Sequence, residues 1–475
     1  MVKLKEIFLE KINEKKDLNK REKKLFVGVD IGRLKNQVAF LSKDRNADLR
    51  KREKVENSFW GFMKLLEYIE ELIAQESITM ENVIIGIEST GHYWKNLYNF
   101  FLEKNIEVVM VKNKTVKLKR EIKYPYKGKN DSLDSVCIAL SLKDDDYIRI
   151  RKSNENYESL RILSKIKDER VKANTQNKNR IIKWLDKHNQ TYLKTFVDPY
   201  CKTGIALLKC FPGEADIKEK TVDEIIEILR SNNSKNKLQY RKISEYYELL
   251  IDILNNIKEI PIGARKEIEN LIRLFEDTEN YLETLQKDID ELSNEMELPV
   301  ERFSRLKGLG KNEILDLISE IGMIENYKTS KHLQAYCGLR VIAYKSGEYQ
   351  IKKPKISKAG NRKARRILFY MALILIARNP DWRKLFAYYL SYNRENQKSK
   401  KEMLIAVASK LCRTIFGMLK NDTEFDRKLL FRGLDFSKCN KERFINEYVG
   451  EKRNWVITDE ELEELFGKSN TKKLF

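Results

Sequence analysis

Four carboxylates stand where apolar segments end or helices begin. Asp30 closes the run LFVGVDI (25–31), Glu88 closes VIIGIE (83–88), and Asp131 and Asp134 open a helical pattern three residues apart. An ionised side chain at the end of a buried strand is costly unless a cleft, a cation or a hydrogen-bond network receives it. Acids at i and i+3 on a helix share one face. Four converging acids repel one another, and the usual resolution is divalent cation binding. Hard Mg²⁺ prefers carboxylate oxygens, and two such ions can hold the attacking and the leaving oxygen of a phosphodiester. Taken singly, Asp30 also reads as a turn former, and Asp131 or Asp134 as an acid that suits a helix N-terminus. Taken together they are more specific, because strand one, strand four and a helix after strand five each supply one at a common edge.

A second reactive group lies in RVIAYKSGEYQIKKPKISKAGNRKARR (340–366), which has ten Lys or Arg and one acid, Glu348. Ser346, followed by Gly347, offers a hydroxyl there, with Lys345, Lys358, Arg362, Arg365 and Arg366 as candidate phosphate ligands. Serine is a poor nucleophile unless its proton is taken or its target is polarised. On composition alone Ser346 reads as a turn residue. Ser357 is its rival, with N-capping or phosphate contact as its plainer role. A second basic stretch, KNKTVKLKREIKYPYKGKN (112–130), has eight basic residues against Glu121 and leads into the acid pair. Lys112, Lys119, Arg120, Lys127 and Lys129 are its strand-guiding candidates, with Tyr124 and Tyr126 available for base stacking; a solvated loop is the alternative.

Positioning these groups requires a sheet. Strands are expected at 25–31, 36–42 and near 49–56. Ser58 is expected to cap a helix running to about 75, followed by a strand at 83–88, a helix over 92–104, a strand at 106–111, an irregular basic segment, and a helix from Asn130. Three strands in a meander followed by alternating helix and strand is the element order of the ribonuclease-H-like fold, an order that other α/β folds can share. Residues 155–195 read as basic amphipathic helix with Leu160, Leu163, Ile166, Val171 and Ile181 on its apolar side. From 268 to 296 apolar residues recur at spacings of three and four, broken only at Thr278, which is a coiled-coil pattern. Its partner is either residues 240–258 of the same chain or a second subunit. RLKGLGKNEILDLISEIG (305–322) is similar to a helix-hairpin-helix, whose Gly308 and Gly310 would open backbone N–H groups to a phosphate; a plain turn needs the same glycines for steric reasons. A strand-like stretch at 338–352 and helices at about 361–378, 381–393 and 400–420 follow.

The 475 residues carry 93 Lys and Arg against 72 Asp and Glu, a formal charge of +21, which favours a polyanionic partner. Six scattered cysteines without a CxxC pair, and three histidines, argue against zinc. The charged N-terminus has no apolar core of a signal peptide, and no run approaches 18 apolar residues, so a reduced cytosolic setting without a membrane partner is expected. The expected segments are a basic leader (1–24), an α/β catalytic domain (25–150), a helical linker and coiled coil (151–300), a mainly helical domain (301–425) and a charged tail (426–475).

VGVDIG with Asp30, GIESTGHYW with Glu88, and KGKNDSLDS with Asp131 and Asp134 resemble the DEDD tetrad of the RuvC-like domain in bacterial insertion-sequence transposases. LKGLG (306–310), YCGLR (336–340), KSG (345–347) and ISKAGNRKARRIL (356–368) resemble the second domain of the same group, the insertion sequence one-ten family. The resemblance implies a ribonuclease-H-like, RuvC-like N-terminal domain. It also implies a metal site at the tetrad, expected to hold two Mg²⁺ ions. Ser346 matches the family's nucleophile, which forms a covalent phosphoserine link to DNA. Donor and target double-stranded DNA, a structured bridge RNA as guide, and a dimeric or tetrameric assembly in which domains of different protomers complete one site are implied as partners, in a bacterial, nucleoid-associated setting. The chain departs from the pattern in the length of 196–260 and of the tail, and in Asn130 and Ser135 beside the acids.

Three other readings compete. A RuvC-like nuclease would use water in place of Ser346. An actin-like ATPase would share VGVDIG as a phosphate loop but needs a second Asp-Gly loop, which the sequence lacks. A basic, coiled-coil RNA-binding scaffold would need none of the four acids.

Overall fold

The computed structural model describes residues 24–42, 48–88, 91–126, 130–150, 154–232, 238–252, 257–342, 345–346, 349–350, 355–394, 398–450 and 455–467. The leader, Lys127, Lys129 and Gly347 lie outside these residues, as do the side chains of Lys345 and Ser346. The chain divides into two compact units, Met1–Lys152 and Ser153–Phe475, so the expected boundaries at 300 and 425 fall inside the second.

In the first unit β1 (Leu25–Asp30), β2 (Lys35–Ser42) and β3 (Asp48–Glu56) form an antiparallel meander. Helix α1 (Phe59–Glu76) leads to β4 (Val83–Glu88), which pairs parallel with β1, and α2 (Trp94–Glu103) leads to β5 (Glu107–Val111), parallel to β4. Then come α3 (Asn113–Lys123), α4 (Asp131–Lys143) and a two-residue strand, β6 (Ile148–Arg149), antiparallel to β5. The resulting order β3-β2-β1-β4-β5-β6 is a ribonuclease-H-like sheet, of the RuvC-like kind the sequence implies. One face carries α1 and α2 through Phe62, Leu65, Ile69, Leu97 and Phe101. The other carries α4 through Ile138, Ala139 and Leu142.

The segment read as irregular is largely the helix α3. Its lysines mask a short apolar register: Val116 is buried, and Lys117 and Glu121 pair one turn apart at 3.8 Å. The helix closes just before Pro125, as expected of the residues preceding proline.

The second unit is helical. Helices α5 (Glu155–His188) and, after four shorter ones at Gln190–Thr195 (α6), Lys202–Cys210 (α7), Val222–Asn232 (α8) and Tyr240–Leu250 (α9), α10 (Ile262–Glu295) pack against each other. Lys167 Nζ donates to Gln286 at 2.8 Å, Lys178 pairs with Glu279 at 3.1 Å, and Trp184 Nε1 donates to the Ala264 carbonyl at 2.9 Å, so the two run antiparallel. The coiled-coil seam is therefore filled within the chain, by α5 rather than by residues 240–258; a heptad stripe fixes a seam and leaves its partner open. Val171, expected on the apolar side of α5, is instead exposed.

The remainder comprises α11 (Lys311–Ile321), α12 (Ser330–Tyr336), α13 (Arg362–Arg378), α14 (Pro380–Ser391) and α15 (Lys400–Asn421) around one apolar core. Two short ladders, β7 (Val341–Ile342) with β10 (Lys355–Ile356) and β8 (Lys345–Ser346) with β9 (Tyr349–Gln350), stand between α12 and α13. Only a 3₁₀ turn, Glu301–Arg305, precedes the Gly-Leu-Gly turn, where a full helix was expected. The residues expected to be a charged tail contain α16 (Arg427–Phe431), α17 (Lys441–Val449) and α18 (Asp459–Phe466). These close on Tyr388 of α14 through Phe436, Phe444 and Tyr448, aromatic residues that charged neighbours hide from a hydropathy reading.

Candidate active site

Register places the first two acids side by side. β1 and β4 are aligned with Val29 opposite Ile87, so Asp30 and Glu88 leave the sheet at neighbouring positions on the same edge. The same register sets Gly28 opposite Gly86, and this pair lets α4 lie against the strands. A Cβ on Gly28 would come within 2.1 Å of the Ser135 carbonyl, and one on Gly86 within 2.7 Å of Leu142 Cδ2. The glycine of VGVDIG thus serves helix packing, which removes the reason to read it as a phosphate loop.

Asn130 starts α4 at the right place. Its side chain accepts from Ser132 N at 3.0 Å, leaving Asp131 and Asp134 in the first turn. The outcome is convergence: carboxylate oxygens of Asp30, Asp131 and Asp134 lie within 4.8 Å of one another. Glu88 borders the same cleft, of about 530 Å³, but stands outside that group. Asp134 is only 3% exposed and pairs with Arg120, whose guanidinium is held charged by that hydrogen bond. Burial pushes the Cys137 thiol, one turn further along α4, up to about 11, with Asp134 adding to the effect, so it is no nucleophile at neutral pH. Lys35, Lys54 and Lys117 complete a basic rim.

Hard oxygen donors at this spacing suit Mg²⁺ or a similar divalent cation, and a nearly buried carboxylate in an acidic trio has a reason to exist if a cation binds there. The candidates Lys112 and Lys119 differ in their commitments. Lys112 is exposed just ahead of α3. Burial disfavours the charge of Lys119, but Asp144 and Asp146 (3.0 Å) outweigh it and hold its pKa up, so its charge is spent inside the fold.

Sequence reasoning missed a latch behind Asp30. Buried Asn36 accepts from Gly32 N at 3.2 Å, while Asn57 Nδ2 donates to the Gly32 carbonyl at 3.0 Å and Asn57 N to the Leu34 carbonyl at 2.8 Å. These bonds fix the turn that follows the first acid. An Asn at the start of a strand whose centre is apolar, NQVAFLS, was the available signal.

In the second unit the basic segment is partly consumed by its own fold. Arg365 donates to the carbonyls of Cys337 (3.3 Å) and Lys358 (3.0 Å), and Arg366 pairs with Asp168 at 2.9 Å. Lys363 joins Asp168 and the nearly buried Glu320, each at 3.2 Å. Arg362 and Lys358 remain exposed. Asn361, not Ser357, caps α13, accepting from Lys363 N and Ala364 N at 2.9 Å, while Ser357 Oγ donates to the Ala359 carbonyl at 3.4 Å. Amide side chains are as good at this cap as hydroxyls, and Asn361 immediately precedes the first helical residue, four positions nearer than Ser357. Ser346 lies in β8, opposite Tyr349. Gly308 packs on Arg378, and the Gly310 N–H is already taken by Glu313 at 2.9 Å, so a phosphate there would have to displace a carboxylate.

Comparison with known proteins finds two matching stretches. Residues 27–190 match the DEDD transposase model of the IS110 group, described as "Transposase", and residues 300–387 match "Transposase IS116/IS110/IS902 family"; together these span just over half of the chain. The chain belongs to the IS110 family of transposases. Two relatives of this IS110-family chain are pilin gene-inverting proteins, from Moraxella lacunata (23% identity over 36% of this chain and 52% of that protein) and Moraxella bovis (27% identity over 27% and 38%). The IS110-family chain thus aligns with about half or less of the length of those relatives. Among solved structures, T. thermophilus RuvC in complex with Holliday junction substrate matches 27% of this chain and 99% of its own, at 13% identity and a TM-score of 0.20. Among the described residues no helix is long and apolar enough to cross a membrane.

Proposed function

We propose that this IS110-family chain cuts and rejoins DNA strands, with Asp30, Glu88, Asp131 and Asp134 as a divalent-metal site and Ser346 as nucleophile. The observation that carries this reading is the convergence of Asp30, Asp131 and Asp134 in a cleft that Lys35, Lys54, Lys117 and Arg120 also line. A bound Mg²⁺ would polarise the phosphodiester and stabilise charge on its departing oxygen. Arg120 holds Asp134 in place, and Lys35, Lys54 and Lys117 attract the DNA backbone. Ser346 Oγ attacks phosphorus; a P–O bond forms to serine, the bond to the sugar oxygen breaks, and the serine proton ends on the departing hydroxyl. One phosphodiester is exchanged for another, so resealing needs no nucleotide triphosphate.

Residues 25–150 would act as the acid-bearing domain and 301–425 as the serine-bearing one, joined by the helices of 151–300. The excess of positive charge supports DNA and a structured guide RNA as partners, and the family resemblance supports a dimer or tetramer in the bacterial cytoplasm. With donor and target DNA, the candidate RNA and Mg²⁺, the full chain is expected to give recombinant product and a covalent protein–DNA adduct. Asp30→Asn is expected to abolish both while nucleic-acid binding persists, and Ser346→Ala to abolish the adduct. An adduct that persists in Ser346→Ala would refute the nucleophile; cleavage without any adduct would favour attack by water.

A further inference from the structure

Beside the acid cleft the first unit exposes three large apolar side chains. Leu34 is 75% exposed, Phe59 59% and Trp60 78%, whereas Trp184 and Trp382 are buried. The rings of Phe59 and Trp60 stand edge to face at 5.7 Å, and Phe59 is braced from behind by Phe100, also at 5.7 Å. The patch is fixed to the candidate site by backbone bonds. Asn57, two residues before Phe59, donates to the Leu34 carbonyl through its N–H and to the Gly32 carbonyl through its side chain, and Ser58 caps α1 by accepting from Gly61 N at 3.3 Å. Gly32 and Lys35 line the cleft that holds Asp30, so the aromatic pair sits on a rigid helix start next to the turn that shapes the cleft.

Exposed aromatic surface of this kind marks a binding site. We propose that Trp60, with Phe59 and Leu34, forms a stacking platform for an unpaired nucleobase of the strand whose phosphates lie along Lys35 and Lys54. Every base has a π-face that an aromatic ring can take, and the adjoining lysines supply the complementary charge for the backbone. A paired base is already stacked on both sides and offers no such face, so the platform selects single-stranded over duplex nucleic acid. The inference deepens the proposed function, since it assigns the strand that enters the acid cleft.

The test uses the full chain without divalent ions, so that cleavage plays no part. Affinity for a fluorescent oligo-dT and for a duplex of equal length is measured at fixed salt for the natural protein, Trp60→Ala and Trp60→Phe. Stacking is worth about 1–3 kcal/mol per base, so Trp60→Ala is expected to weaken single-strand binding roughly 5- to 150-fold and duplex binding less than twofold. Trp60→Phe should retain most of the affinity, and emission quenching by oligo-dT should shrink in both variants. Equal losses on both ligands, or no loss on either, would overturn the platform. A change of sedimentation in Trp60→Ala would also overturn it, by showing that the patch joins subunits. The same measurements in an Asp30→Asn background separate the two ideas: a Trp60 effect that survives there stands whether or not the acids cut DNA.

Discussion

The acid cleft of the first unit and the basic segment of the second are built by opposite means. In the cleft, strand register, a glycine groove and a helix cap bring Asp30, Asp131 and Asp134 together before any ligand arrives. In the basic segment two of the charges on α13, Lys363 and Arg366, hold the helix to α5 and α11 through Asp168 and Glu320, and the described strand residues form only two-residue ladders. Hairpins of that size are marginal alone. The difference teaches that like charges gathered on a rigid frame point to a cation site, whereas opposite charges paired off in a crowded basic helix point to structure first.

The strongest way to break the comparison is to remove one acid. Asp134→Asn keeps the shape of the side chain and is expected to lower DNA cleavage by at least about 10²–10³-fold, the scale for losing a single group that acts on developing charge, while nucleic-acid binding persists. Near-natural cleavage would end the case for the cleft. The frame itself is tested by Gly28→Val. Its side chain has no room under the Ser135 carbonyl, so about 3 kcal/mol or more of stability should be lost in denaturant melts, together with cleavage. A tolerated valine would mean that α4 does not seat in the Gly28–Gly86 groove.

On the other side, Asn361→Ala removes the cap of α13 and the bond from Asn361 Nδ2 to Glu320 at 2.7 Å. A loss of about 1–2 kcal/mol is expected, with single-strand binding at the cleft unchanged. Ser357→Ala should cost far less, since its hydroxyl reaches only its own turn.

Sequence and structure agree best where one residue type carries an unambiguous physical demand. Acids closing apolar strands, Ser58 before an apolar stripe, and three strands ahead of alternating helices were legible because burial leaves few alternatives. Helix α3 was hidden because four lysines and an arginine swamp Val116, and the pairing of Arg120 with Asp134 was not legible because it joins two different helices. The partner of the α10 seam was equally invisible: its match to α5 depends on contacts more than a hundred residues apart, such as Lys167 with Gln286. Capping of α13 by Asn361 was legible in principle, but the reading gave that role to Ser357.

The smallest effect concerns the acids beneath the basic segment. Asp316 is held above the usual carboxylate range chiefly by burial, although Lys167, a hydrogen bond from Ser164 at 2.8 Å and Lys363 all pull it down. A carboxyl raised in the folded protein binds its proton there at a pH where the unfolded chain has released it. Stability therefore falls as pH rises from the ordinary Asp range through the folded value, and the penalty is complete above that. Asp316→Asn still accepts the Ser164 hydrogen bond through its amide oxygen but carries no charge to desolvate. It is expected to melt a degree or two higher than the natural protein at pH 7, since 1 kcal/mol corresponds to roughly 2–4 °C at this size, and the gap should close in acid as the natural side chain becomes neutral. A variant that melts lower at pH 7 would show that the attraction of Lys167 and Lys363 outweighs burial, and that this unit, too, uses an unneutralised acid to hold its basic helix.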